Sequence, residues 1–192
     1  MTNIVTAMGQ AYGDSIPMLV ISTVNAHACM GSGEGWLHEL PNQSALVAGV
    51  SAFSRTVHRP EELAPALAQA FAVFDSARPR PVHIELPINV MLADASHLVV
   101  PHDPPRLRRP APAVEGIAAA VALLNGSKTP LILAGGGAVK SAERLQALAE
   151  TLDAPVVMTT NARGILPPDH PLGVSLTASM PQTRALVAAA DV

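Results

Sequence analysis

The chain has 192 residues, 49% of them hydrophobic and only 14% charged, with a net charge of -3 when histidines are neutral. That is material for one large or two small globular cores and argues against disorder, and the sparse charge suggests surface buried in something larger. No basic run exceeds Arg108-Arg109, no apolar run nears the roughly 18 residues of a membrane span, and no signal peptide opens the chain, so neither a nucleic-acid nor a membrane partner is expected.

A single cysteine, Cys29, excludes an intrachain disulfide, fits a reducing cytoplasm and offers no zinc motif. It reads as a small, partly buried hydrophobe.

Ile4, Val5, Met8, Ala11 and Tyr12 recur at helical spacing, with Thr2 or Asn3 as the cap and Gly13 as the stop. After Pro17, Met18-Leu19-Val20-Ile21 is a short apolar run of the kind found in parallel strands covered on both faces. Residues 23–44, with Gly31, Gly33, Gly35 and Pro41, form a loop long enough to imply a function. A short helix over 44–48 and a strand over 54–57 follow.

Pro60 with Glu61 and Glu62 suits a helix start, and Leu63, Leu67, Ala70, Phe71 and Phe74 make its apolar stripe. Val82-His83-Ile84-Glu85-Leu86 alternates with period two, as a strand does. On it, His83 and Glu85 read as satisfied polar groups at a domain interface.

Five prolines between Pro101 and Pro112 mark residues 91–112 as a stiff linker. Beyond it a second α/β pattern runs. Val114, Ile117, Val121 and Leu124 stripe a helix stopped at Asn125-Gly126, and Pro130–Ala134 is a buried strand. Gly135-Gly136-Gly137 turns into a helix bearing Leu145, Leu148 and Leu152, and Ala154–Thr159 is another strand. Ala185–Ala190 looks helical, and Asp191-Val192 looks like the beginning of a strand. The expected fold class is α/β: two incomplete parallel-sheet, Rossmann-like units, at 1–90 and 113–192, both cut within their domains.

Several motifs carry a family resemblance. Thr2-Asn3, then Ala11-Tyr12, then Asp14-Ser15-Ile16-Pro17 and an apolar strand resembles a signature of thiamine-diphosphate-dependent enzymes of the acetolactate synthase, glyoxylate carboligase and 2-oxo acid decarboxylase group. Arg78-Pro79-Arg80-Pro81-Val82-His83-Ile84-Glu85-Leu86-Pro87 resembles the family's R-P-G-P-V-x-I-x-I-P, with Arg80 in place of the usual Gly. Pro130–Ala138 resembles the start of the family's middle domain, and Asp169-His170-Pro171-Leu172-Gly173 its D-H-P-x-x-G turn. Gly35–Gln43 resembles the 5-guanidino-2-oxopentanoate decarboxylase-like subgroup.

The resemblance implies the back half of a pyrimidine-binding domain followed by the front of a middle domain. It implies thiamine diphosphate and Mg2+ as cofactors of a full-length parent that is a homodimer or homotetramer acting on a 2-oxo acid. The family's catalytic Glu and its G-D-G…N magnesium motif have no match here. Met1 falls on the position between the family's G-P-G and T-N.

Ligands of open α/β sheets bind outside the strand carboxyl ends, which directs attention to the long loop. The resemblance sets Leu37-His38-Glu39 near the substrate-facing F-Q-E and H-H segments of relatives. His38 is then a proton donor or substrate contact, set against a surface histidine, and Glu39 a carboxylate for a cationic substrate tail. His27 is a weaker candidate.

Thr2, Asn3 and Asn25 are cofactor-pocket candidates. Gly135 and Gly136 are candidates for a nucleotide turn, FAD or ADP, although Lys140 breaks the full G-x-G-x-x-G pattern. No metal ligand set is expected. The expected function is that of a fragment of a thiamine-diphosphate-dependent decarboxylase or carboligase, inactive in isolation. The alternatives are a self-standing FAD- or ADP-binding module and a non-catalytic remnant.

Overall fold

The computed structural model describes residues 1–99 and 107–192. The chain divides into two compact units, Met1–Pro110 and Ala111–Val192. Of the expected linker over 91–112, residues 100–106 lie outside the described residues.

Unit 1 begins with helix α1 (Val5–Asp14), strand β1 (Met18–Val24) and helix α2 (Gln43–Ala48). Strand β2 (Phe53–Thr56), helix α3 (Leu63–Ser76), strand β3 (Pro81–Pro87) and the single turn α4 (Ile88–Met91) complete it. The three strands are parallel in the order β1-β3-β2.

Gly13 lies inside α1 and does not end it. Ser15 does, in the left-handed conformation (φ 58°), where the Ile16 N–H donates back to the Ala11 carbonyl at 2.9 Å. Neither Thr2 nor Asn3 caps a helix, since no side-chain cap bond forms at this start. Two arginines hold the other end. Arg78 Nε donates to Ser15 Oγ at 2.7 Å, and Arg80 donates to the Tyr12 carbonyl while its guanidinium lies 4.2 Å from the Tyr12 ring centroid. Cations at a helix C-terminus oppose its negative dipole end, which gives Arg80 a task that the family's usual glycine lacks.

The period-two pattern of β3 divides the sheet chemically. Val82 and Ile84 point to one face and pack with Val57, Ala66, Ala70 and Val90 in the core beneath α3. Each such aliphatic side chain, fully buried, contributes about 1.5–3 kcal/mol. The stripe of α3 is narrower than the sequence implies. Phe71 is 54% exposed and stacks edge-on against Phe74.

Unit 2 holds helix α5 (Val114–Gly126), strand β4 (Ile132–Ala134), helix α6 (Ala142–Leu152), strand β5 (Val156–Met158), strand β6 (Gly173–Val174) and helix α7 (Pro181–Ala189). Its strands are parallel in the order β4-β5-β6. The core gathers Ala134, Ala149, Val156, Ala162, Ile165 and Leu166.

Asp191 closes this unit by accepting from Ser127 Oγ, the Lys128 N–H at 2.7 Å and the Thr129 N–H at 3.0 Å. Next to it the Val192 carbonyl accepts from the N–H of Leu131, the residue before β4, at 2.9 Å, and Asp191-Val192 forms no strand. The expected stripe of α5 is not a buried one: no residue of that helix is buried, and Val114 is 76% exposed. Among the described residues no helix is long and apolar enough to cross a membrane.

Candidate functional site

The other face of β3 carries His83 and Glu85, both essentially without solvent exposure. Register sets Ser54 beside His83, and Ser22 and Thr56 beside Glu85. That sheet face is therefore polar and buried together, a costly combination unless every group finds a partner.

The partners are present. Ser22 Oγ lies 2.7 Å from His83 Nε2 and Ser54 Oγ 2.7 Å from His83 Nδ1. Ser44 Oγ reaches Ser54 Oγ at 2.6 Å. Thr56 Oγ1 donates to Glu85 Oε1 at 2.8 Å, and Gln43 Nε2 donates to Glu85 Oε2 at 3.0 Å. Burial pushes the His83 imidazole below its usual range; the Glu85 charge opposes that shift and the amino-terminal ammonium adds to it.

Asn42 makes this arrangement possible, because its side chain caps α2 through the Ala45 N–H at 2.8 Å. The cap starts the helix at the position that turns Gln43 inward over the sheet.

At the carboxyl ends of the strands a cleft of about 520 Å3 opens. Gln43, Ser54, Thr56 and Glu85 form its polar wall, and Met30, Gly31, Leu40 and Pro41 from the long loop cover it. Position and lining are those of a ligand site in an open α/β sheet.

The residues singled out from sequence are placed differently. His38 is exposed with φ 58° and does not line the cleft. Glu39 turns inward on its own loop, accepting from the N–H groups of Gly33 (2.6 Å), Gly35 (2.8 Å) and Trp36 (3.0 Å) and from Ser32 Oγ (3.1 Å). These donors, the Gly33 N–H first, hold its carboxyl below the usual range against partial desolvation. Asn25 Nδ2 donates to the Leu37 carbonyl at 3.2 Å and so ties the same loop to the end of β1. Thr2 and Asn3 are exposed at the start of α1.

His27 joins His58 and Asn89 just past the ends of β1, β2 and β3. Asn89 Oδ1 accepts from the His27 N–H at 3.0 Å, which turns its Nδ2 toward His27 Nδ1 at 2.9 Å. His27 Nε2 is then left to donate to His58 Nδ1 at 2.9 Å, with the rings stacked.

In unit 2, a Cβ on Gly136 would sit 3.2 Å from Asn161 Cβ, so close packing accounts for that glycine, while Gly135 has open space around it. Gly135 precedes, and Gly136 and Gly137 open, a 3-10 run over Gly136–Ser141 that comes before α6, so the glycines do not form that helix's first turn.

Sequence reasoning missed Gln43, Ser44, Ser54 and Thr56 altogether. The available signal was alternation: Ser54 and Thr56 on β2 repeat at the same spacing as His83 and Glu85 on β3.

The chain is similar, over part of their length, to thiamine-diphosphate-dependent enzymes. Residues 117–192 match the family description "Thiamine pyrophosphate enzyme, central domain". The chain is 43% identical over 190 residues to a probable 2-ketoarginine decarboxylase of Pseudomonas aeruginosa, covering 99% of this chain and 34% of that protein. It is 31% identical over 175 residues to the acetolactate synthase isozyme 1 large subunit of Escherichia coli, covering 91% of this chain and 31% of that protein.

A putative thiamin diphosphate-dependent enzyme from Mycobacterium smegmatis shares the fold, with a TM-score of 0.76 at 22% identity over 99% of this chain and 37% of that one. The chain thus spans about a third of the length of the curated relatives it matches.

Among the described residues no group of three or more His, Cys, Asp and Glu side chains is arranged to hold a metal ion.

Proposed function

We propose that this chain supplies one wall of the substrate and cofactor site of a thiamine-diphosphate-dependent 2-oxo acid decarboxylase or carboligase. In this reading residues 1–90 are the second half of the pyrimidine-binding domain, 91–112 a linker and 113–192 the first part of the middle domain. The whole enzyme is a homodimer or homotetramer. Bound thiamine diphosphate supplies the carbon nucleophile and electron sink, and the magnesium-held diphosphate belongs to residues other than those described.

The tasks left to this chain are orientation and exclusion of water. The capped α2 holds Gln43 over the sheet, the polar network fixes the cleft wall, and Met30, Leu40 and Pro41 shield it. His38, exposed on the covering loop, is a proton donor to substrate in this account. Thr2, Asn3 and Asn25 contribute to the cofactor side. The observation that carries the reading is the cleft at the carboxyl ends of three parallel strands, floored by a buried polar network.

A chimera tests it. The matching third of the Pseudomonas aeruginosa relative is replaced by this chain, and thiamine-diphosphate-dependent release of CO2 from 2-oxo acids is measured. Cofactor-dependent decarboxylation is the expected result. A folded, assembled chimera that binds thiamine diphosphate but is inert toward a panel of 2-oxo acids refutes the proposal.

A further inference from the structure

His83 lies behind the cleft wall rather than on it, and both of its ring nitrogens are bonded to serine hydroxyls, Ser22 Oγ and Ser54 Oγ, each at 2.7 Å. A neutral imidazole has one N–H and one bare nitrogen, so one serine donates to it and the other accepts from it. Ser22 decides which. Among the described residues its oxygen has two partners, His83 Nε2 and, at 3.0 Å, Gln43 Nε2. The second is an amide nitrogen, which donates and does not accept. Its identity is fixed by the Thr23 carbonyl, also 3.0 Å away, which can only accept. His83 Nε2 is therefore the acceptor for the Ser22 hydrogen.

The remaining bonds run outward from there. His83 Nδ1 carries the ring hydrogen and donates it to Ser54 Oγ, and Ser54 Oγ donates to Ser44 Oγ at 2.6 Å. Ser44, which lines the cleft, is left with a hydrogen that has no acceptor among the described residues. The opposite order would turn the Ser44 hydrogen inward and strand that of Ser22 beside the buried imidazole, away from the cleft. Buried polar groups keep their partners, so the surplus hydrogen belongs on the open side. Each bond in such a chain also polarises the next. On the same wall Thr56 gives its hydrogen to Glu85, and the Gln43 amide faces Ser22, Thr23 and Glu85. No Lys, Arg or His side chain among the described residues lines the cleft, and Glu85 does, so an anion there would be repelled. An uncharged acceptor suits the Ser44 hydroxyl.

We propose that Ser44 is a ligand-binding residue of this cleft: the one-way chain from Ser22 through His83 and Ser54 holds its hydroxyl hydrogen outward, where it donates to a carbonyl oxygen of the ligand. Ser22 and His83 act through Ser44 and are positioning residues. The inference rests on the reading of the cleft as a substrate site, in which the keto oxygen of the 2-oxo acid is the acceptor.

Two measurements on the chain test it without cofactor. Heteronuclear NMR of the His83 ring reads which nitrogen carries the hydrogen, and Nδ1–H is expected. Pentan-2-one is then titrated and amide shifts are followed. The ketone is expected to shift Ser44 and Ala45, and Ser44→Ala to weaken its binding about fivefold, the scale of one neutral hydrogen bond. Ser22→Ala removes the hydroxyl that sets the direction. It is expected to mix the two ring tautomers and to weaken ketone binding although Ser22 does not line the cleft, a pair of effects that a purely structural serine would not give. A His83 ring with its hydrogen on Nε2, no ketone shift at Ser44, or equal affinity in Ser44→Ala each overturns the proposal, as does a Ser22→Ala variant with tautomer and affinity unchanged. Should Ser22→Ala fail to fold, the tautomer and Ser44→Ala decide alone. An inert chimera with Ser44-dependent ketone binding removes the proposed function only, whereas an active chimera with the ring hydrogen on Nε2 removes this inference only.

Discussion

Replacing Ser54 with alanine removes the hydroxyl that lies 2.7 Å from His83 Nδ1 and 2.6 Å from Ser44 Oγ. The imidazole is fully buried, and with the hydroxyl gone its Nδ1 has lost the side chain that it bonds to. Leaving a buried polar group unpaired costs about 1–3 kcal/mol. For a chain of this length that is a fall of about 2–12 °C in Tm, at about 2–4 °C per kcal/mol.

Trp36 is the single tryptophan and lies in unit 1, so urea unfolding followed by its fluorescence reads the affected unit. Ser76→Ala is the matched control. That hydroxyl donates to the Ala72 carbonyl one turn back in α3, and its loss changes stability by no more than about 0.5 kcal/mol. If Ser54→Ala costs no more than Ser76→Ala, the polar face is hydrated and the buried network is not what holds it.

Three further outcomes are expected. Because the folded His83 sits below its usual range, the unfolded chain binds more protons just under pH 6.5; stability is full above that pH and declines as pH falls toward the folded value. Urea midpoints at pH 7.5 and 5.5 should differ in that direction and differ less in His83→Gln; an equal slope in the variant contradicts the assignment. Asp191, lowered to about 2 chiefly by Ser127 Oγ and then by the Lys128 and Thr129 N–H groups, stabilises unit 2 above pH 3.8 and loses that effect as pH falls through about 2. Asp191→Ala should speed hydrogen exchange at Lys128 and Thr129 at neutral pH, and unchanged exchange would remove the clamp from the account. Gly31→Ala would set a Cβ 2.6 Å from the Pro41 carbonyl oxygen at a φ of 61°, costing about 1–3 kcal/mol and freeing the cleft cover, as measured by unfolding and by exchange at Gly33 and Gly35.

The α/β class was legible because β1, β3 and β5 are apolar or alternating runs bounded by Gly, Pro and helix starts. The two-residue β6 was not, because Gly173-Val174 has no period to detect; it forms by pairing with β5. The amphipathic stripe of α5 was legible as a pattern, yet its apolar side chains remain exposed, since a stripe states what a helix can bury and not what is there to cover it.

At the site, the long loop was legible in the sequence, and the polar floor of the cleft that its residues cover was not. His38 is exposed, and the donors that engage Glu39 are backbone N–H groups of glycine turns, which side-chain patterns do not display. The cleft floor is assembled by strand register, which brings Ser22, Thr56 and Glu85 together from three distant segments.

Filling the cleft is the direct trial. Ala48 is exposed on α2 and lines the cleft, so Ala48→Trp occupies that space without entering either core. In the active chimera it should lower kcat/KM for the 2-oxo acid by about tenfold or more, as displacement of a bound substrate does, with folding and assembly unchanged. Undiminished turnover with the indole in place would mean that substrate never enters this cleft.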